Sequence, residues 1–375
     1  MRATLNPDTL AQTQNSVELS LPEGVPFLSS LYVYAAGSCN LACRHCWIVP
    51  KFQPNGGNGP YVKFEYMEKA IREGKPLGLR SIKLTGGEPM LHPQFRELIA
   101  LIADAQLNIL IETNGTLIDE SMAQFLQNKA PTCFISISLD GALAETHDAL
   151  RSVEGSYERA VSGIRNLVKA GFHPQVICTL HKGNVAEMDE LVALANRLGC
   201  GSVKFNHIQQ VGRGEKFINE QGLTVPEILQ LFKRVETEIV PQSRINIYFD
   251  IPMAFYGIGK LLQNSANCAV RNILGLLATG ELALCGIGTT VPELIYGHME
   301  TDHLQDVWCE STGLARLRER IPDKFEGICG RCIHSNICLG ECIANNFHVS
   351  GKLEAPYFLC EQADELGLFP SSRKI

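Results

Sequence analysis

Six short β-rich runs alternate with amphipathic helical stretches, and this alternation constrains the fold more than any other feature of the sequence. The runs begin at Leu31, Ser81, Asn108, Cys133, Gln175 and Ser202. Between them, apolar residues recur at three- and four-residue spacing, as on helices with one buried face. Strands separated by helices predict a parallel α/β sheet, either doubly wound or part of a β/α barrel. In both folds ligands bind at the carboxyl ends of the strands.

The alternation weakens after about residue 210, and the last third of the chain has a different pattern. Residues 272–285, "NILGLLATGELALC", predict a β-hairpin that turns at Thr279-Gly280 and whose return strand ends at Cys285. A cysteine-rich, irregular stretch follows from Cys329 to Cys360. We therefore expect a polar N-terminal extension (1–27), a core domain (28–240) and a C-terminal cysteine-rich region (241–375).

Composition excludes several classes of protein. A hydrophobic content of 45% provides a core, and a net charge of −7 disfavours general binding to nucleic acid or anionic membranes. The N-terminus lacks the apolar run of a signal peptide, and no stretch is long enough to span a bilayer. We therefore expect a cytoplasmic protein, where cysteines are usually reduced thiols, catalysts or metal ligands. The 14 cysteines of this chain then call for a metal.

Three of these cysteines, Cys39, Cys43 and Cys46, follow the first predicted strand within eight positions. One tight loop can aim their thiolates at a single point. Structural zinc usually has four protein ligands, and His45 could be the fourth, but it points away from its neighbours along the loop. A [4Fe–4S] cluster held by three cysteines keeps one iron open for another ligand.

CxxxCxxC after a first strand resembles the signature of the radical S-adenosylmethionine (SAM) superfamily, and four further motifs match that family in order. They are GGEP (Gly86, Gly87, Glu88, Pro89), ETNG with Thr113 and Asn114, SLDG with Ser138 and Asp140, and Arg151. The resemblance implies a partial (β/α)6 TIM-type barrel and a cluster whose open iron binds SAM. It also implies that GGEP contacts the SAM amino group through its backbone and Glu88, Ser138 the ribose, and Arg151 the carboxylate.

The C-terminal cysteines resemble the SPASM extension, which implies two auxiliary [4Fe–4S] clusters. Carried over by position, the distal cluster would be held by Cys329, Cys332, Cys338 and Cys360, and the proximal one by Cys268, Cys285 and Cys342. The fourth proximal ligand is either Cys309 or an open position for substrate. On spacing alone, zinc remains an alternative for this region. Cys133, Cys178 and Cys200 are expected to be packing residues.

The two resemblances imply an oxidoreductase that cleaves SAM to a 5′-deoxyadenosyl radical and abstracts hydrogen from a substrate. The favoured substrate is a ribosomal precursor peptide or protein, and the expected reductant is a flavodoxin- or ferredoxin-type protein. A leader sequence would be recognised either by these domains or by a separate leader-binding protein. One alternative is a sulfatase-maturing enzyme, although those relatives carry Asp where this chain has Gly286. Another is a non-catalytic iron–sulfur electron carrier. The catalytic base is unknown, with Asp250 and Glu281 as candidates.

Overall fold

The computed structural model describes residues 21–54, 57, 59–261 and 268–375, so most of the predicted N-terminal extension (1–27) lies outside the described residues. Twelve strands occur among these residues: β1 (Ser30–Ala36), β2 (Ser38–Cys39), β3 (Lys51–Phe52), β4 (Ser81–Gly86), β5 (Asn108–Thr113), β6 (Phe134–Ser138), β7 (Gln175–Leu180), β8 (Ser202–His207), β9 (Asn246–Phe249), β10 (Ile273–Leu276), β11 (Glu281–Ala283) and β12 (Ile295–His298). In the described part of the chain, ten of them form one sheet in the order β12-β11-β10-β1-β4-β5-β6-β7-β8-β9, and β2 pairs with β3.

The predicted parallel sheet is confirmed. Neighbouring strands from β10 through β1 to β9 all run parallel, which is the arrangement of a partial TIM-type barrel. The six predicted strands form its centre as β1 and β4 to β8. The apolar run at residues 245–250 forms β9, which adds to the edge at β8, and β10 of the predicted hairpin adds to the edge at β1.

Helices connect the strands and cover the outer face of the sheet. Their bounds are α1 (Phe64–Gly74), α2 (Phe95–Asp104), α3 (Glu120–Lys129), α4 (Ala144–Arg151), α5 (Ser156–Lys169), α6 (Met188–Leu198), α7 (Arg213–Gln221), α8 (Val225–Arg234), α9 (Val240–Gln242), α10 (Ile258–Leu261), α11 (Leu304–Glu310), α12 (Thr312–Arg320), α13 (Ser335–Cys338), α14 (Ile343–Ser350) and α15 (Phe358–Glu365). Local signals fix several ends: Thr224 and Glu227 form a capping box at the start of α8, and Gly199 ends α6 with a φ of +86°.

The period of two along each strand separates the outer face from the barrel interior. In β4, Ile82 and Leu84 are fully buried in the main hydrophobic core, as expected for residues that face the helices. Lys83 and Thr85 therefore face the other way, into the interior. The interior of this barrel carries polar and charged groups, while the apolar core lies between the sheet and its helices.

The C-terminal hairpin is present, with one correction. β10 and β11 pair antiparallel as predicted, but β11 ends at Ala283 and not at Cys285. Beyond it the chain turns into a short 3-10 helix, Gly286–Thr289, so Cys285 lies at the turn and not in the ladder. The sheet continues across the predicted boundary at residue 240, with β9 at one edge and β10 to β12 at the other.

No helix in the described ranges is both long and apolar enough to cross a membrane.

Candidate active site at the mouth of the barrel

The loop that carries Cys39, Cys43 and Cys46 follows β1 at the carboxyl end of the sheet. Backbone hydrogen bonds hold it from three sides. Glu88 N donates to Ser38 O at 3.0 Å, and Ala42 N donates to Arg151 O at 3.1 Å. On the third side Arg213 N donates to Cys46 O at 3.0 Å. The predicted loop is thus fixed by three other elements of the barrel mouth.

The three thiols lie together in this loop. Burial raises the pKa of Cys39 well above its ordinary value, and the charges of Glu88, Cys43 and Cys46 raise it further. Hydrogen bonds also reach the sulfurs: Leu41 N donates to Cys39 Sγ at 3.4 Å, and Asn114 Nδ2 donates to the same atom at 3.8 Å. Donors of this kind stabilise thiolates that bind metal.

Glu88 of GGEP is fully buried and ties β4 to β5. Its Oε1 accepts hydrogen bonds from Met90 N at 3.1 Å and Thr113 Oγ1 at 2.7 Å, and its Oε2 accepts one from Asn114 N at 2.8 Å. Burial raises the pKa of Glu88 to about 7, although these hydrogen bonds lower it. Pro89 begins the short turn that follows. The sequence predicts Glu88 as a SAM contact, and in the structure its carboxylate joins two predicted motifs.

The glycines of GGEP permit a close backbone approach. Gly86 has a φ of +127°, which favours glycine. A Cβ at Gly87 would lie 1.9 Å from Ser38 O, so any side chain would push GGEP away from the cysteine loop.

Arg151, at the end of α4, is buried against Asp140 and the cysteine loop. Its Nε donates to Asp140 Oδ2 at 2.5 Å and its Nη1 donates to Cys43 Sγ at 3.4 Å. Burial alone would raise the pKa of Asp140, but Arg151 holds it below the usual range. Thr179 N donates to the other oxygen, Asp140 Oδ1, at 2.8 Å. Ser138, the SLDG serine, lies at the end of β6 and is partly exposed.

Several buried polar atoms at this mouth have no hydrogen-bond partner in the described structure. They are Ser38 Oγ, His45 Nδ1, His147 Nε2 and His181 Nε2. Burial lowers the pKa of His45 to about 3 and that of His147 to about 4, so both rings are neutral near pH 7. Buried polar groups in folded proteins are almost always satisfied, so these atoms indicate a polar ligand at the mouth.

The C-terminal cysteines form two further sets. The four-cysteine set, Cys329, Cys332, Cys338 and Cys360, lines a single cavity together with Pro252, Ala254 and Phe369. Two backbone amides donate to its sulfurs: Tyr357 N to Cys329 Sγ at 3.5 Å and His334 N to Cys332 Sγ at 3.4 Å.

The three-cysteine set consists of Cys268, Cys285 and Cys342. Burial raises the pKa of the Cys285 and Cys342 thiols to about 12, and each is raised further by another member of the set. Cys268 is exposed to solvent, and its thiol lies near enough to Cys285 for the charge of Cys285 to raise its pKa. The hairpin thus brings Cys268 and Cys285 together. Cys309 differs from these, because it lies on α11 and its strongest charged neighbour is Arg318, followed by Glu310 and Asp306.

The two candidate bases lie apart. Asp250 follows β9 and pairs with Lys204 at 3.4 Å, close to the three-cysteine set, since its charge acts on Cys268 and Cys342. Glu281 begins β11 and accepts a hydrogen bond from Thr279 Oγ1, which places it at the hairpin turn.

Sequence reasoning missed an ion pair inside the barrel. Lys83 Nζ lies 3.1 Å from Glu112 Oε1 and 3.8 Å from the centre of the Tyr32 ring. The available signal was a lysine at the centre of the apolar run SIKLT, at a position that alternation assigns to the inner face.

The donor sets fit iron–sulfur clusters. In the described ranges, no three His, Cys, Asp or Glu side chains converge closely enough to hold one metal ion. The cysteines of a [4Fe–4S] cluster bind separate irons and need not converge in that way. Thiols with backbone amides aimed at their sulfurs, beside orphaned polar atoms, are suited to a cluster with a polar ligand.

A partial parallel barrel with a three-cysteine loop at its mouth is the arrangement that the resemblance to radical SAM enzymes implies. Comparison with known proteins agrees. The model of the Radical SAM superfamily matches residues 33–195. The chain is 28% identical over 330 residues to the mycofactocin maturase MftC of Mycobacterium tuberculosis, covering 87% of this chain and 81% of that enzyme. It is 27% identical over 337 residues to the AdoMet-dependent heme synthase of Methanosarcina barkeri, and the match covers 85% of this chain and 93% of that enzyme.

A solved structure has the same fold. Streptococcus suis SuiB bound to its precursor peptide SuiA superposes with a TM-score of 0.72 at 17% identity, covering 90% of this chain and 76% of SuiB. Residues 33–195 therefore form a radical SAM domain, and the protein is an enzyme of this type.

Gly286 provides a direct test of packing beside the three-cysteine set. A Cβ at this position would lie 2.3 Å from Tyr34 ring atoms. We expect Gly286→Asp to lower the free energy of unfolding by about 1–3 kcal/mol through overpacking, measured by urea denaturation. The matched control is Gly257→Asp, where no atom lies within 4 Å of an added Cβ. Equal stability of both variants would contradict the packing described here.

Proposed function

We propose that this enzyme modifies a peptide, by abstracting hydrogen from it and forming a crosslink or an oxidised residue. The observation that carries the proposal is the grouping of the C-terminal cysteines into a set of three and a set of four, apart from the loop at the mouth. Two auxiliary clusters would suit a net oxidation, in which a substrate radical gives up one electron. The relationship to a mycofactocin maturase over 87% of the chain supports a peptide substrate.

Cys39, Cys43 and Cys46 would hold the cluster that SAM binds. When bound, that group supplies the electron that cleaves SAM into methionine and a 5′-deoxyadenosyl radical. Asn114 and Arg151 donate to two of the sulfurs and so stabilise the thiolate forms. The remaining SAM contacts predicted from the motifs, GGEP and Ser138 among them, surround the same mouth.

The chain's other residues would orient the substrate and exclude water. Because Asp140 already neutralises Arg151, we assign this arginine first to Cys43 and Asp140, and only through its remaining donor atoms to the SAM carboxylate. His45 and His147 are neutral and present unpartnered nitrogens, so they can hydrogen-bond a bound ligand without adding charge. Asp250 is the better placed of the two candidate bases, since it neighbours the three-cysteine set.

A second candidate function is a step of heme synthesis, favoured by the relationship to AdoMet-dependent heme synthase. A sulfatase-maturing role is disfavoured, because Gly286 has no room for the Asp of those enzymes next to Tyr34. An electron carrier would not need the mouth residues that surround a SAM site.

Expression of the chain with short peptides encoded beside its gene tests the proposal. We expect one such peptide to lose the mass of two hydrogens and to gain a crosslink visible in fragment spectra. The control is the same peptide expressed with the enzyme variant in which Cys39, Cys43 and Cys46 are all replaced by Ala. Unmodified peptides together with conversion of an iron porphyrin by the purified enzyme would favour the heme reaction instead.

The proximal cluster is proposed to have three protein ligands and one open iron. Cys309→Ala should then leave the iron content unchanged, because Cys309 lies beside Arg318 and not within the three-cysteine set. Cys342→Ala should lose the iron of one cluster, measured by iron analysis and electron paramagnetic resonance after anaerobic reconstitution. Loss of one cluster's signal in Cys309→Ala would show that Cys309 is the fourth ligand.

A further inference from the structure

The ion pair between Lys83 and Glu112 lies inside the barrel between two of the cysteine sets, and neither motif reasoning nor the comparisons assign it a role. Register places Gly275, Tyr32 and Lys83 in one row across β10, β1 and β4. Residues in register on parallel strands point to the same face, so all three positions face the barrel interior.

Cys285 reaches this row because residue 275 is glycine. A Cβ at Gly275 would lie 2.8 Å from Cys285 Cα and 3.0 Å from Cys285 O, so the Cys285 backbone rests directly on the glycine. The Lys83 ammonium, over the Tyr32 ring, is in the same row.

Glu112 sits on the next strand, nearer the mouth. Lys83 pairs with Leu110, which sets Glu112 two residues beyond the Lys83 row in the direction of the cysteine loop. The next two residues, Thr113 and Asn114, bind Glu88, and Asn114 also reaches Cys39 Sγ. The lysine end of the pair therefore faces the three-cysteine set, and the glutamate end faces the mouth.

Both members of the pair are charged. Burial alone would lower the pKa of Lys83, but Glu112 and Tyr32 raise it above the ordinary value. Burial alone would raise the pKa of Glu112, but Lys83 lowers it. Lys83 is the more enclosed partner, with 17% of its side chain exposed against 41% for Glu112. Charges at partly enclosed sites of this kind are screened less than charges on the open surface.

We propose that Lys83 is an electrostatic positioning residue for the three-cysteine set, which makes the cluster held there easier to reduce. The proposal rests on the proposed function, since it requires a cluster on Cys268, Cys285 and Cys342. One-electron reduction adds one negative charge to a cluster, and a nearby ammonium stabilises that added charge. When a substrate radical gives one electron to this cluster, the substrate is oxidised by one electron and the cluster is reduced by one electron. Glu112 holds the ammonium in place, while its own charge opposes reduction from a greater distance.

Redox titration followed by electron paramagnetic resonance tests the proposal. The full chain, reconstituted anaerobically, carries Ala at Cys39, Cys43 and Cys46 so that only auxiliary clusters give signals. The signal that disappears on adding Cys342→Ala identifies the cluster of the three-cysteine set. In Lys83→Met, the reduced-to-oxidised ratio of this cluster, measured at the midpoint potential of the wild type, should fall by about tenfold. In Glu112→Gln the ratio should rise, and Lys83→Arg should stay close to wild type.

The matched control is the surface pair Lys129 and Asp104, joined at 2.9 Å. Lys129→Met and Asp104→Asn should leave the midpoint unchanged. A merely structural role for the inner pair would move the midpoint in the same direction in Lys83→Met and Glu112→Gln, or not at all, and either result would overturn the proposal. If Lys83→Met fails to fold, the other two variants still test the proposal. The reduced-to-oxidised ratio should rise in Glu112→Gln and should stay at the wild-type value in Lys83→Arg. Absence of any signal that depends on Cys342 would overturn the three-cysteine cluster and this proposal together, whereas unchanged potentials would overturn this proposal alone.

Discussion

Replacing Cys39, Cys43 and Cys46 together by Ala should reduce the formation of 5′-deoxyadenosine from SAM at least ~10³-fold, equivalent to more than about 4 kcal/mol of lost transition-state stabilisation. The three thiols lie in one loop at the barrel mouth, and backbone hydrogen bonds join this loop to Glu88, to the end of α4 and to the start of α7. The reaction is measured with dithionite as reductant on anaerobically reconstituted protein.

Cys200→Ala is the matched control for this prediction. Cys200 is also buried, with 4% of its surface exposed, and it packs in the hydrophobic core just after α6. It belongs to none of the three cysteine sets. We expect its activity to stay within about twofold of wild type, since removing one small buried side chain affects packing more than chemistry. Cleavage of SAM by the triple variant at the wild-type rate would contradict the assignment of the mouth.

Breaking the pair between Asp140 and Arg151 should have the largest effect on stability. Asp140 is fully buried and Arg151 is 7% exposed, so Asp140→Ala leaves a buried positive charge without its partner. We expect a loss of about 3–5 kcal/mol in the free energy of unfolding, measured by urea denaturation. The double variant Asp140→Leu with Arg151→Met should lose less than the single variant, because it removes both charges.

The surface pair between Lys169 and Glu120 provides the control, with side chains 70% and 73% exposed. Glu120→Ala should cost less than about 1 kcal/mol, because water screens exposed pairs. If Asp140→Ala were as stable as Glu120→Ala, the pair at the mouth would not hold α4 against the cysteine loop as described.

Much of the fold and of the mouth could be predicted from the sequence, because the signals are local. Each of the six central strands has its own apolar run. The cysteine loop, GGEP, ETNG and SLDG lie at the ends of successive strands, so their order in the chain is also their order along the sheet. The grouping of the C-terminal cysteines was implied by the resemblance to the SPASM extension, and it stays a prediction.

The sheet edges could not be predicted in the same way. β10 pairs with β1 across more than 240 residues, as the bond from Ser29 Oγ to Asn272 O shows. Hydrophobic periodicity identifies a strand and its buried face, but not which distant strand it joins.

Partners of the charged mouth residues were also beyond sequence reasoning. Motif matching predicted that Glu88 and Arg151 face SAM, whereas the buried contacts of Glu88 with Asn114 and of Arg151 with Asp140 depend on how four strand ends meet. For the same reason Lys83 and Glu112, 29 residues apart, could be recognised as a pair only in the fold.

The most direct test of the central claim follows hydrogen from the substrate to SAM. A precursor peptide encoded beside the gene is prepared with deuterium on its side-chain carbons and incubated with the reconstituted enzyme, dithionite and SAM. We expect 5′-deoxyadenosine to gain one deuterium and the peptide to form its crosslink in equal amount. If 5′-deoxyadenosine forms without deuterium from every such peptide, but takes up label from a deuterated iron porphyrin, the peptide-modifying function is wrong.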